Sequence, residues 1–169
     1  MVVVGEKSPL HQQPTRTDWG AQPCRCLAGC PAFSGHGVII QPMVFDAESI
    51  TLSYDNVPAA KQWWMNAFDC KAVPVPPDWD NPLPSDVALK FPGNDEPAIL
   101  LSARTEVEQA GLDLTSPVVS VIFCNKLKKA HQQLSSRGIL VGPIQDGGDT
   151  EFFEVRDTEG HLLQICKEA

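Results

Sequence analysis

The sequence predicts an α+β fold made of two βαβββ modules, and two observations carry that prediction. From Ser49 onward, segments with the alternating period of strands and one with the roughly 3.6-residue period of a helix follow in the order strand, helix, strand, strand, strand. The same order recurs about 70 residues later, and recurrence at a fixed spacing marks two copies of one structural unit.

In the first copy, SITLSY alternates Ile50, Leu52 and Tyr54 and reads as a strand. NVPAAKQWWMNAF follows as a helix over residues 57–68. Asn56 is its N-cap, Pro58 stands in its first turn, and Trp63, Trp64 and Phe68 form its apolar side. That spacing makes the tryptophan pair core residues. CKAVPV is a short strand. The proline-rich loop PPDWDNPLP leads to VALKF, where Val87, Leu89 and Phe91 alternate, and the turn GNDEP leads to the strand AILLS. A linker, EVEQAGLDLTS, separates the copies. In the second copy VVSVIFC is a strand. KLKKAHQQLSSRG is a helix over residues 126–137, with Leu127, Ala130 and Leu134 on one face and Gly138 just past its end. ILVGPI, EFFEV and HLLQIC complete it as strands. The modules run over about 46–103 and 117–167 of a domain spanning residues 43–169.

Residues 1–42 have a different character. They are rich in Pro, Gly, Gln, Thr and Cys and show no period beyond VVV and GVII. They read as an irregular extension, or as sequence upstream of a start at Met43. They hold three basic and two acidic residues, so the acidity of the chain resides in the domain.

The chain has 169 residues, 43% apolar and 20% charged, which is ordinary for a globular protein. Its formal charge of −8 argues against nucleic acid and against anionic membranes, since both reward Lys and Arg. No apolar run approaches the ~18 residues that span a bilayer, and the apolar start is too short for a signal peptide. A cytoplasmic protein is the expectation. Cys70, Cys124 and Cys166 fall inside strand-like segments and read as buried free thiols. Cys24, Cys26 and Cys30 form CRCLAGC with His36 nearby, but the spacing is not that of a tetrahedral zinc site.

A twofold βαβββ chain of this size resembles the vicinal oxygen chelate superfamily, which includes glyoxalase I, bleomycin-binding proteins, fosfomycin-resistance thiol transferases and extradiol dioxygenases. The stretch NVPAAKQWW, the helix end LSSRG and the hairpin FFEVRDTEGHLLQIC carry the resemblance, which covers about Asp46–Lys167. Family members commonly have an acidic-Pro-acidic-Gly turn in that hairpin, and here Thr158 replaces the proline. The resemblance implies that each module curls its mixed sheet into half of a cup, and that two chains pair as a homodimer.

In the metalloenzymes of that family a divalent metal sits in the cup. The resemblance carries its ligand positions onto Ser49, a residue near Ser102, one within Pro117–Val119, and Gln164. Serine and amide oxygens are poor donors for a transition metal, and a register shift that brings in Glu48 supplies a single carboxylate. The expectation is therefore no metal and no cofactor. Ser49, Ser120 and Gln164 would instead line an apolar cup, and Trp79 would either close over it or anchor its loop. Such a pocket suits a hydrophobic or cationic small molecule, as in the bleomycin-binding branch. At most one of Glu151 and Glu154 faces inward. Glu154 shares a parity with Phe152, and Glu151 with Phe153. The pattern leaves the choice open, with Glu154 counted among the ligand-binding candidates. An inward glutamate could act as general base in a metal-free isomerase or lyase, and a metal-dependent dioxygenase would need ligands at other positions. His131 reads as a boundary residue and His161 as a surface residue. No Ser-His-Asp arrangement, phosphate loop or nucleotide motif is visible.

Overall fold

A computed structural model describes residues 42–112 and 119–168. They belong to one compact unit, Ile40–Ala169. The cysteine cluster Cys24, Cys26 and Cys30 lies outside the described residues, as does His36.

Among the described residues the strands form two mixed sheets. β1 (Phe45–Asp46) and β2 (Ile50–Tyr54) are consecutive pieces of one extended segment. α1 (Val57–Phe68), β3 (Lys71–Val73), β4 (Val87–Lys90) and β5 (Ile99–Ala103) follow. After α2 (Arg104–Gln109) the second copy runs β6 (Ser120–Cys124), α3 (Leu127–Ser136), β7 (Gln145–Asp146), β8 (Glu151–Arg156) and β9 (Leu162–Lys167). The four-stranded sheet has the order β2-β5-β4-β3, and the five-stranded sheet β1-β6-β9-β8-β7. In each, the first strand of its module runs parallel to the last, β2 beside β5 and β6 beside β9. β1 pairs antiparallel with β6, so the segment Phe45–Tyr54 contributes to both sheets.

α1 begins where Asn56 Oδ1 accepts the Ala59 N–H at 3.1 Å, and it ends where Asp69 turns left-handed at φ 57°. Its buried residues Trp64 and Phe68 pack on the sheet side that carries Tyr54 and Phe91. Leu127, Ala130 and Leu134 are the buried stripe of α3. His131 stacks edge-on against Phe153 at 5.0 Å, which sets α3 against the Phe153 face of its sheet. One continuous core joins both modules.

Two elements differ from expectation. The strand expected over ILVGPI is reduced to a single bridge, Val141 to Val155, with β7 beginning later at Gln145. Pro143 has no N–H to offer the ladder, while the Gly142 N–H still reaches Glu154 O at 2.8 Å. The second difference is α2, whose last residues were expected as linker; its first turn carries Glu106, which accepts from Ser85.

Candidate cleft at the junction of the modules

Lateral neighbours in a sheet share a face, so the register assigns each side chain to a side. In the second module Val121 pairs with Gln164, and Gln164 pairs with Glu154. The bridge of Val141 to Val155 sets Gly142 beside Glu154. Gly142, Glu154, Gln164 and Val121 thus form one row across four chain segments. The neighbouring row is Gln145, Phe152, Cys166, Phe123 and Asp46. Both rows lie on the face away from α3, because Phe153 and Val155 hold the opposite parity. This face is open. Val119 and Phe123 are 40% and 39% exposed, while Val121, Phe152, Leu162, Glu154 and Gln164 are half-buried. The matching face of the first module is closed at its centre, where Ala88, Ser102 and Ser53 are buried.

A cleft of about 360 Å³ lies where the two first strands meet. Residues 48–51 form one wall, and Val119, Ser120, Val121 and Phe123 form the other. It adjoins the open face through Val121, the lateral neighbour of Gln164.

The expected site residues are therefore only partly brought together. Ser49 is exposed and lines the cleft. Ser120 is buried and also borders the cleft, but its register partner is Leu163, which sets it on the opposite face from Gln164. Gln164 and Glu154 stand side by side, whereas Glu151 takes the other face and approaches Lys167 at 3.9 Å. Trp79 is half-buried in its loop, where its backbone N–H donates to Pro76 O at 3.1 Å, and is not a lining residue of the cleft. Of the metal-ligand positions implied by the resemblance, Ser49, Ser102 and Gln164 offer neutral oxygens that do not suit a transition metal; within Pro117–Val119, Val119 has an apolar side chain, and Pro117 and Val118 lie outside the described residues. Among the described residues no three His, Cys, Asp or Glu side chains are grouped as a metal site would need.

A polar network between the modules went unread in the sequence. The β8–β9 turn places the Asp157 carboxylate, its side chain 1% exposed, against the first module. Asp157 Oδ2 accepts the Tyr54 hydroxyl at 2.6 Å and meets His161 Nδ1 at 2.8 Å, while Trp64 Nε1 donates to the Tyr54 oxygen at 3.0 Å. Burial pushes the Asp157 carboxyl up, but hydrogen bonds from His161 and Tyr54 outweigh it and hold the group below its ordinary value. Burial, reinforced by the bond to Asp157, raises the Tyr54 phenol. His161 is thus a half-buried partner of Asp157 rather than a free surface residue. Nearby, Glu159 accepts the backbone N–H groups of Asp55 and Asn56, each at 2.9 Å, and pairs with Arg104 at 3.1 Å. Arg104 also holds Asp55 at 2.8 Å. At the far end of α1, Arg137 donates to Asn66 O and Ala67 O at 2.9 Å and pairs with Asp69 at 2.7 Å. In the sequence the two acids of RDTEGH mark only a turn; their partners Tyr54, Asp55 and Asn56 lie in the other module.

No protein-family model matches the sequence, and no curated protein matches it. Solved structures share the fold at low identity. A member of the glyoxalase/bleomycin resistance protein/dioxygenase superfamily from Sphaerobacter thermophilus DSM 20745 is 15% identical, covering 73% of this chain and 98% of that one at a TM-score of 0.53. Lactoylglutathione lyase from Agrobacterium tumefaciens is 15% identical over 72% of this chain and 92% of that one, with a TM-score of 0.52. TnmS3, an antibiotic binding protein from Streptomyces sp. CB03234, is 10% identical over 73% and 96%, with a TM-score of 0.52. The chain has the fold of this superfamily. Among the described residues, no helix is long and apolar enough to cross a membrane.

Proposed function

We propose that the protein is a small-molecule-binding module that takes a hydrophobic or cationic ligand in the cleft between the first strands of its modules. One observation carries this reading: a concave cleft, walled on one side by Val119, Val121 and Phe123, is continuous with an open sheet face on which Glu154 and Gln164 stand side by side. Apolar walls with a few convergent polar groups are the usual makeup of a ligand site. The antibiotic binding protein of the same fold supports the same class of function. We further propose a cytoplasmic homodimer. Sedimentation at micromolar concentration tests the assembly, and a mass near that of one 18.4 kDa chain argues against it.

A second reading makes Glu154 a general base in an isomerase or lyase, and its support is that this glutamate, not Glu151, shares the face of Gln164. The neutral oxygens at Ser49, Ser102 and Gln164 do not match the donors of the family's metal chemistry.

A thermal-shift screen of small apolar and cationic compounds tests the binding reading, because a ligand that binds the folded state raises the melting temperature. Val121→Trp fills the cleft and should abolish the shifts while leaving the unliganded melting temperature near that of the parent. If no compound shifts the protein, or if shifts persist undiminished in the variant, the cleft is not the site.

A further inference from the structure

We infer that the open face of the second module selects an organic cation carried on an aromatic body, with its charge seated between Glu154 and Gln164. This rests on the small-molecule-binding reading above and goes beyond it by naming the ligand class and the residues that choose it.

Glu154 is half-buried, yet its side chain makes no hydrogen bond or ion pair among the described residues. A carboxylate partly withdrawn from water favours a cationic partner. Its neighbour Gln164 contributes an amide oxygen that can accept from the same donor. Arg156, on the same face, is exposed and donates to Gly160 O at 3.0 Å.

On the other side of Glu154 stands Gly142. Its backbone is not in the left-handed region, and a Cβ there would lie 3.8 Å from Glu154 Cβ and 3.4 Å from Glu154 O, close to ordinary contact. Neither conformation nor crowding demands glycine. The missing side chain leaves the Glu154 side chain without a larger lateral neighbour at this position.

The adjoining row supplies the rest of the selectivity. Phe152 and Phe123 flank Cys166 on the same face, one step along the strands from the Glu154–Gln164 row. Aromatic faces beside a carboxylate attract an ammonium or amidinium through the ring quadrupole and pack against the ring that carries it.

The test is isothermal titration at pH 7 with 2-naphthylmethylammonium and its neutral isostere 2-naphthylmethanol, on the full chain and on Glu154→Gln. The ammonium should bind the parent at least tenfold more tightly than the alcohol. In Glu154→Gln the two should bind within about twofold of each other. Gly142→Leu, which sets a larger lateral neighbour beside Glu154, should weaken the ammonium at least tenfold. Equal binding of both probes by the parent overturns the cation inference and leaves the cleft reading standing. A preference that survives Glu154→Gln, or Gly142→Leu without effect, overturns the assigned seat. Binding of neither probe at millimolar concentration overturns the inference, while the thermal-shift screen with Val121→Trp decides the cleft reading separately.

Discussion

The Glu159 carboxylate accepts the Asn56 backbone N–H at 2.9 Å, across 103 residues of chain. Asn56 is itself the N-cap of α1, so a helix of the first module is capped twice, once by its own residue and once by the second module. Arg137 does the complementary work at the other end, where a positive group meets the last carbonyls. An acid at the N-terminus and a base at the C-terminus both match the helix dipole.

Replacing Glu159 by Ala leaves the Asp55 and Asn56 N–H groups and Arg104 without their shared partner. The expected loss is about 1–3 kcal/mol in urea unfolding. A change within experimental error would show that water substitutes fully for the carboxylate.

Arg137→Ala should cost about 1 kcal/mol by withdrawing its bonds to the α1 carbonyls. The two clasps sit at opposite ends of a 12-residue helix, roughly 18 Å apart. Their effects should therefore add in the double variant. A coupling above about 0.5 kcal/mol would mean that the helix responds as one unit to the loss of either end.

Asp157 ties stability to acid pH. Its carboxyl lies below the ordinary value in the folded protein, so the folded state favours the charged form. The stabilisation is therefore complete above the unfolded-state value of about 3.9 and disappears as pH falls through the folded value. Asp157→Asn should be less stable than the parent at pH 7, and the gap should narrow below pH ~4. Thermal melts between pH 7 and pH 3 measure this, and a gap that widens with acid would reverse the assignment.

The buried thiols should be slow to react. Burial, with Asp69 beside it, pushes Cys70 up to about 12, and burial pushes Cys124 up to about 11. The thiolate is the nucleophile, so iodoacetamide at pH 8 should alkylate both at least tenfold more slowly in the native than in the unfolded chain. Site-resolved mass spectrometry reads each cysteine separately.

Zn²⁺, Mn²⁺ and Ni²⁺ should leave the parent's melting temperature unchanged. Ser49→His with Gln164→Glu places two good ligands by the cleft that Ser49 lines and Val121 joins to residue 164. That double variant should be stabilised by metal. Stoichiometric binding by a chain lacking Cys24, Cys26 and Cys30 but otherwise unchanged would overturn the donor-set argument.

Local pattern made much of the fold legible. Alternation over Ile50–Tyr54 and the cap, proline and aromatic spacing of α1 are visible within single segments, and the helix runs over the expected residues. ILVGPI misled because its residues are apolar while Pro143 cannot serve a ladder. The site was less legible for a different reason. Parity within one strand can be read, but the relation between two strands depends on their register. Ser120 and Gln164 were expected on one face, and the pairing of Val121 with Gln164 separates them. Glu154 lay open until pairing set it beside Gln164. The clasp of Glu159 on Asn56 joins positions too distant for any local pattern to connect.

The same clasp has a consequence for biosynthesis. As the chain is made, α1 emerges long before the turn Asp157–His161 exists. Until that turn arrives, the Asp55 and Asn56 N–H groups lack Glu159, and the Tyr54 hydroxyl lacks Asp157. The first repeat is therefore an unfinished object while the ribosome is still translating the second, although domains generally fold as units during synthesis. Here the unit is the pair of repeats. A chain truncated just before residue 157 should therefore be cut readily by proteases within the first repeat, while the full chain resists them.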